Sequence, residues 1–145
     1  MRNIMEYRVE STNKNSRKFL ESLMPSFVKQ LKLTNSRRAV LVKVTDDIPE
    51  GMEGATFNVE VADCYLILIR APKRLSKTKL VNMATTLAHE MIHVKQLAKG
   101  HLIFKKNNAR VWMGKHYPAK TKYLNQPWEL QALAQQEIVI RRAIE

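Results

Sequence analysis

Between Asn15 and Lys32 the apolar residues Phe19, Leu20, Leu23, Phe27, Val28 and Leu31 recur at helical spacing with Lys and Gln between them, which predicts an amphipathic helix. Pro25 falls inside that stretch and predicts an interruption or kink, because proline removes a backbone donor. The pattern then changes period. Ala39-Val40-Leu41-Val42-Lys43-Val44 is short and rich in β-branched residues, so it predicts a strand, and Thr45 to Gly51 reads as a loop. Ala55 to Val61 alternates loosely, Ala62-Asp63 signals a turn, and Cys64-Tyr65-Leu66-Ile67-Leu68-Ile69 is a continuous apolar run. These two segments predict paired antiparallel strands.

Pro72 ends the run. Ser76 then offers an N-cap for a long helix reaching Lys99, and Gly100 offers its C-cap. Leu80, Ala84, Leu87, Met91, Val94 and Ala98 form the expected buried stripe of that helix. Leu102 to Lys105 and Ala109 to Met113 flank the turn-prone pair Asn107-Asn108 and predict a small hairpin. A last helix starts after Asn125, with Pro127 in its first turn, and runs through Leu130, Leu133, Ala134, Ile138 and Ile140. The order helix, strands, helix, short strands, helix is that of an α+β domain. With 145 residues and no repeat, low-complexity stretch or linker, one domain covering 1–145 is expected.

Composition narrows the function. A single cysteine, Cys64, rules out an intramolecular disulfide and a cysteine-built zinc site, and it suits a reducing compartment. In a strand it reads as a small buried hydrophobe. The N-terminal residues lack an apolar core of signal-peptide length, and no run approaches the length of a membrane span, so a cytoplasmic protein without a membrane partner is expected. The net charge of +12 draws the chain toward polyanions. Its basic residues are scattered, however: Lys14, Arg17 and Lys18 form one short cluster, and Lys73, Arg74, Lys77 and Lys79 another. No zinc-finger or RNP-like motif accompanies them, which leaves nucleic-acid binding open without specifying it.

The chemistry is carried by His89-Glu90-Met91-Ile92-His93. Residues four apart share a helix face, so the two imidazoles can converge on one ion. Glu90, beside them, can take a proton from a water activated by that ion. A catalytic zinc site needs a third protein ligand, for which His101, His116, Glu129 and Glu137 are the downstream candidates. Glu129 falls in the first turn of the last helix, where the helix dipole favours a carboxylate. A donor to the developing oxyanion is also needed, and Tyr123 is the candidate, with Tyr117 and His116 behind it. Trp112 and Trp128 read as core or pocket wall.

The His-Glu-x-x-His helix, followed by a second helix opening Pro127-Trp128-Glu129 with a small residue at Ala132, resembles the compact gluzincin-like metallopeptidases, especially small peptidases encoded in phage genomes. The resemblance covers roughly Leu80 to Ala132. It implies zinc bound by His89, His93 and Glu129, with Glu90 as general base and a polypeptide substrate. It also implies an antiparallel sheet packed on the active-site helix, with Tyr65 to Ile69 as the edge that aligns the substrate, and a host-cytoplasm location for a phage-encoded chain. Many gluzincins carry an acidic residue four positions after the third ligand; here Leu133 stands there, so a partner for the zinc-binding histidines is sought in Asp63 or a backbone carbonyl. SprT-like proteases, which act on DNA-bound proteins, are the second resemblance and would use His101 as third ligand. Against metzincins, Gln96 and Lys99 replace the required Gly and His. Against peptide deformylases, Cys64 lacks the Glu-Gly-Cys-Leu-like setting. A basic nucleic-acid-associated protein with a non-catalytic zinc site is the remaining alternative.

Overall fold

Strand alternation and helix caps put most elements where the sequence predicts them. The computed structural model describes residues 5–34 and 36–145. Met1 to Ile4, which belong to the N-terminal stretch read for a leader, lie outside the described residues. The elements are β1 (Tyr7–Glu10), α1 (Lys14–Gln30), β2 (Ala39–Thr45), β3 (Gly54–Val59), β4 (Cys64–Arg70), α2 (Lys77–Ala98), β5 (Leu102–Phe104), β6 (Arg110–Trp112), β7 (Lys115–Tyr117) and α3 (Pro127–Ile144). This is a small α+β domain with three helices among the described residues.

The larger sheet has the order β1-β2-β4-β3. Strands β1, β2 and β4 are mutually parallel, and only β3 runs antiparallel, against β4. This corrects the expected antiparallel sheet. The chain passes from β2 to the far edge as β3, turns at Asp63 (φ 51°), and returns as β4 between the two. Two reversals restore the direction of β2. It also moves the edge: Tyr65 to Ile69 pairs on both sides and is interior, while β3 has its outer side free among the described residues. The hairpin of β3 and β4 is itself as expected.

One face of the sheet is the core face. Val40 and Val42 of β2 and Tyr65, Ile67 and Ile69 of β4 are buried at period two. They meet Leu20, Leu23, Met24, Phe27 and Val28 of α1 and Leu87, Met91 and Ile92 of α2 in one cluster, each side chain worth about 1.5–3 kcal/mol of burial. Helix α1 is capped by Asn13, whose side chain accepts from the Ser16 N–H at 2.9 Å, and it runs through Pro25 without a break. Pro25 is exposed, so the carbonyl it leaves unbonded faces water while the packed face carries the helix.

Helix α2 is bounded as predicted, by Ser76, which accepts from the Lys79 N–H at 3.1 Å, and by Gly100 at φ 76°. Its buried surface is broader than the expected stripe: Ala98 is exposed and Leu80 half-buried, while Glu90, His93 and Gln96 are buried. Strands β5 and β6 form the expected hairpin, turned by Asn107 and Asn108 at φ 61° and 63°. A third strand, β7, is added through Met113-Gly114, both at positive φ, the geometry of a two-residue hairpin turn. In α3 the buried residues are Trp128, Ala132 and Val139, whereas Leu130, Leu133 and Ile138 are exposed.

Candidate metal centre

Helices α2 and α3 pack against each other, and the seam between them carries the site. His89 and His93 project from α2 one turn apart, their rings edge to face with centroids 4.8 Å apart. Glu129 projects from the first turn of α3. Its Oε1 lies 2.8 Å from His89 Nε2 and 2.9 Å from His93 Nε2, and the two nitrogens are 3.2 Å from each other. Among the described residues this is the one group of three His, Cys, Asp or Glu side chains that can hold a metal ion.

The fit to a cation follows from where the protons sit. Gln96 is buried, and its Nε2 donates to the Trp128 carbonyl and to Gln131 Oε1, both at 2.9 Å. A carbonyl can only accept, so this fixes the amide with its oxygen toward His93 Nδ1, 2.7 Å away. His93 therefore donates from Nδ1, and in the neutral imidazole this tautomer turns the Nε2 lone pair to the triad. Gln136 Oε1 stands in the same relation to His89 Nδ1, at 2.8 Å. Two lone pairs and a carboxylate oxygen so close repel unless a proton or metal cation lies among them. Donors about 2.0–2.2 Å from a tetrahedral zinc sit about 3.3 Å from each other, near the observed spacings.

Protons offer one form of relief. Burial works to lower the His89 pKa, but the Glu129 hydrogen bond, the charges of Glu90 and Glu129, and Gln136 outweigh it and hold it above the ordinary imidazole value. Burial likewise works to raise Glu129, yet hydrogen bonds and charge from His89 and His93 bring its carboxyl down to about 2.

Glu90 stands beside the triad without a hydrogen bond to it. It is buried, and its Oε1 accepts from Thr56 Oγ1 of β3 at 2.7 Å. Burial raises its pKa, against the opposing charge of His93 and the Thr56 hydrogen bond. Gly54 permits the approach of β3: a Cβ there would sit 2.5 Å from Thr86 Cγ2 and 3.1 Å from Glu90 Oε2. Tyr123 stands at the rim, its hydroxyl donating to Glu129 Oε1 at 3.4 Å. Burial and the nearby Glu129 push its pKa up to about 12, so it stays protonated. These residues line a cleft of about 870 Å³ that also takes in β3, Leu102, Phe104, Arg110 and Trp128.

The structure brings together His89, His93 and Glu129, with Glu90 and Tyr123 beside them. His101 packs edge-on against Trp112 instead, and His116 and Glu137 are exposed and belong to no such group among the described residues. Tyr117 packs edge-on against Trp128. Asp63 is no partner of the histidines: it is exposed and faces Arg38 at 3.4 Å. The imidazoles are oriented by Gln96 and Gln136, which the sequence reading passes over. Both had a spacing signal, since Gln96 follows His93 by three positions and Gln136 follows Glu129 by seven, each on its ligand's face. Thr56 and Arg110 had none.

Gln96 joins both helices to the site, which gives a measurable expectation. Gln96→Leu strands the His93 Nδ1–H and the Trp128 carbonyl, each worth about 1–3 kcal/mol when buried without a partner. The variant should unfold at lower temperature and, if the triad takes a divalent metal ion, bind it about 10–100-fold more weakly in competition with a chelating dye. Unchanged affinity would mean that Gln96 only braces the helices.

No family model matches the chain, and no curated protein or solved structure matches it either. Among the described residues no helix is long and apolar enough to cross a membrane.

Proposed function

We propose that this chain is a zinc-dependent peptidase that hydrolyses polypeptides laid along the free edge of β3. The observation that carries the reading is the pairing of two features: a His89, His93, Glu129 donor set, and a buried carboxylate, Glu90, held beside it by Thr56 at 2.7 Å. Two imidazoles and one carboxylate suit zinc. Bound there, the ion would acidify a water toward neutral pH and polarise a peptide carbonyl.

The chain's own residues supply the rest. Glu90, its pKa raised by burial, accepts the proton from the attacking water and passes it to the departing amine. Thr56 donates to one carboxylate oxygen, Oε1, and leaves Oε2 as the proton acceptor. Tyr123, protonated across the neutral range, donates to the oxygen that gains charge as water adds to the carbonyl. The unpaired backbone groups of β3 offer an extended peptide a ladder to join, and β3 lines the cleft from Gly54 to Phe57.

The test is direct. The full chain loaded with one equivalent of zinc should cleave an unfolded casein, with new termini seen by mass spectrometry. A chelator should stop cleavage and added zinc restore it. Intact casein after prolonged incubation with the zinc-loaded chain would overturn the reading.

A further inference from the structure

The chain carries 25 Lys and Arg residues, yet among the described residues Arg110 is the only one of them that lines the cleft. Its position is built. Arg110 pairs across the hairpin with Phe104, its guanidinium lies 4.2 Å above the Phe104 ring, and its Nη1 donates to the Ala109 carbonyl at 3.1 Å. Stacking and tether together fix the plane of the guanidinium. Its Nε and Nη2 have no hydrogen-bond partner among the described residues, and no carboxylate lies within ion-pair distance of it. Glu129, whose charge reaches Arg110, is turned to the two imidazoles at 2.8 and 2.9 Å.

A half-buried cation with no carboxylate in direct contact is costly, and an arriving anion relieves that cost. The adjoining wall is apolar, made by Leu102 and Trp128, both buried, so a carboxylate placed there is partly shielded from water and its attraction to the guanidinium is strengthened. Surface lysines elsewhere on the chain lack this fixed plane and this shielding.

We propose that Arg110 is the specificity residue of this cleft and receives a carboxylate carried by the peptide substrate, a chain terminus or an Asp or Glu side chain. This rests on the peptidase reading above and names the class of peptide it takes. The acid group anchors one end of the bound segment on β6, while its backbone lies along β3.

Binding, measured by calorimetry on the zinc-loaded full chain carrying Glu90→Gln, tests this without turnover. Two pairs of probes separate the sources of the carboxylate. Acetyl-Ala-Ala-Glu-Ala-Ala-amide against its Gln counterpart reports a side chain. Acetyl-penta-alanine as free acid against its amide reports a terminus. One charged member should bind about tenfold or more tightly than its neutral partner, as a charge-assisted pair allows. Adding Arg110→Gln should erase the preference, while Arg110→Lys should retain part of it, which guards against a Gln variant that does not fold. Equal binding within both pairs, or a preference that survives Arg110→Gln, overturns the proposal. Hydrolysis by the parent without any charge preference removes only the role of Arg110. A charge preference without hydrolysis removes only the peptidase reading.

Discussion

A His93→Ala chain, equilibrated with zinc and then desalted, should carry almost no metal, where the parent should carry one equivalent. His93 Nε2 forms one corner of a triangle whose other corners lie 2.9 and 3.2 Å away, and no other imidazole is placed to replace it. Four-ligand structural zinc sites are worth about 10–16 kcal/mol in total, so losing one of three protein ligands should cost on the order of 3–5 kcal/mol, or two to four decades in affinity. Glu129→Ala should behave alike, because the two imidazoles alone cannot close a site. His101→Ala and His116→Ala serve as controls and should keep the full equivalent, since His101 packs on Trp112 and His116 is exposed on β7. Metal content is read by elemental analysis alongside circular dichroism. Full metal retention in folded His93→Ala would remove the donor set, and loss in His101→Ala would return the third ligand to that residue.

The residues behind that prediction were legible because each advertises itself locally. Ser76 and Gly100 mark the ends of α2, a histidine pair four apart shares a face of it, and Pro127 opens α3 with Glu129 in its first turn. Contacts between elements carry no such mark. Nothing in Tyr7-Arg8-Val9-Glu10, with Val9 its one buried residue, announces a strand, and β1 exists because it pairs with β2. The direction of the sheet depends on where β3 is laid, which alternation cannot report. The face of α3 misleads for a related reason. Its exposed Leu130 and Leu133 look like core, but the side toward α2 is given to Glu129, Gln131 and Gln136, with Ala132 as the small residue that lets the helices approach. Thr56 is one more alternating strand residue until β3 crosses above Glu90. Polar residues that orient a site are thus the hardest to foresee, since their meaning comes entirely from the partner helix or strand.

Glu90→Gln separates binding from chemistry more cleanly than any other change in the cleft. The substitution keeps shape, and Thr56 Oγ1 can still donate to the remaining carbonyl oxygen as it does to Oε1 at 2.7 Å. It also removes a charge from a buried position where burial already opposes ionisation, so the variant should fold and be at least as stable as the parent. The triad is untouched, so one equivalent of zinc should remain. What disappears is the proton acceptor. Loss of a positioned general base lowers the rate by about 10²–10⁴-fold, so peptide hydrolysis should fall to that extent in kcat with KM little altered. Thr56→Val should give a smaller loss in kcat, because the carboxylate survives but is no longer held in one orientation, and restoration by Thr56→Ser would tie the effect to the hydroxyl. A Glu90→Gln chain that keeps its zinc and cleaves as fast as the parent would leave the ion without its base and end the proposed mechanism.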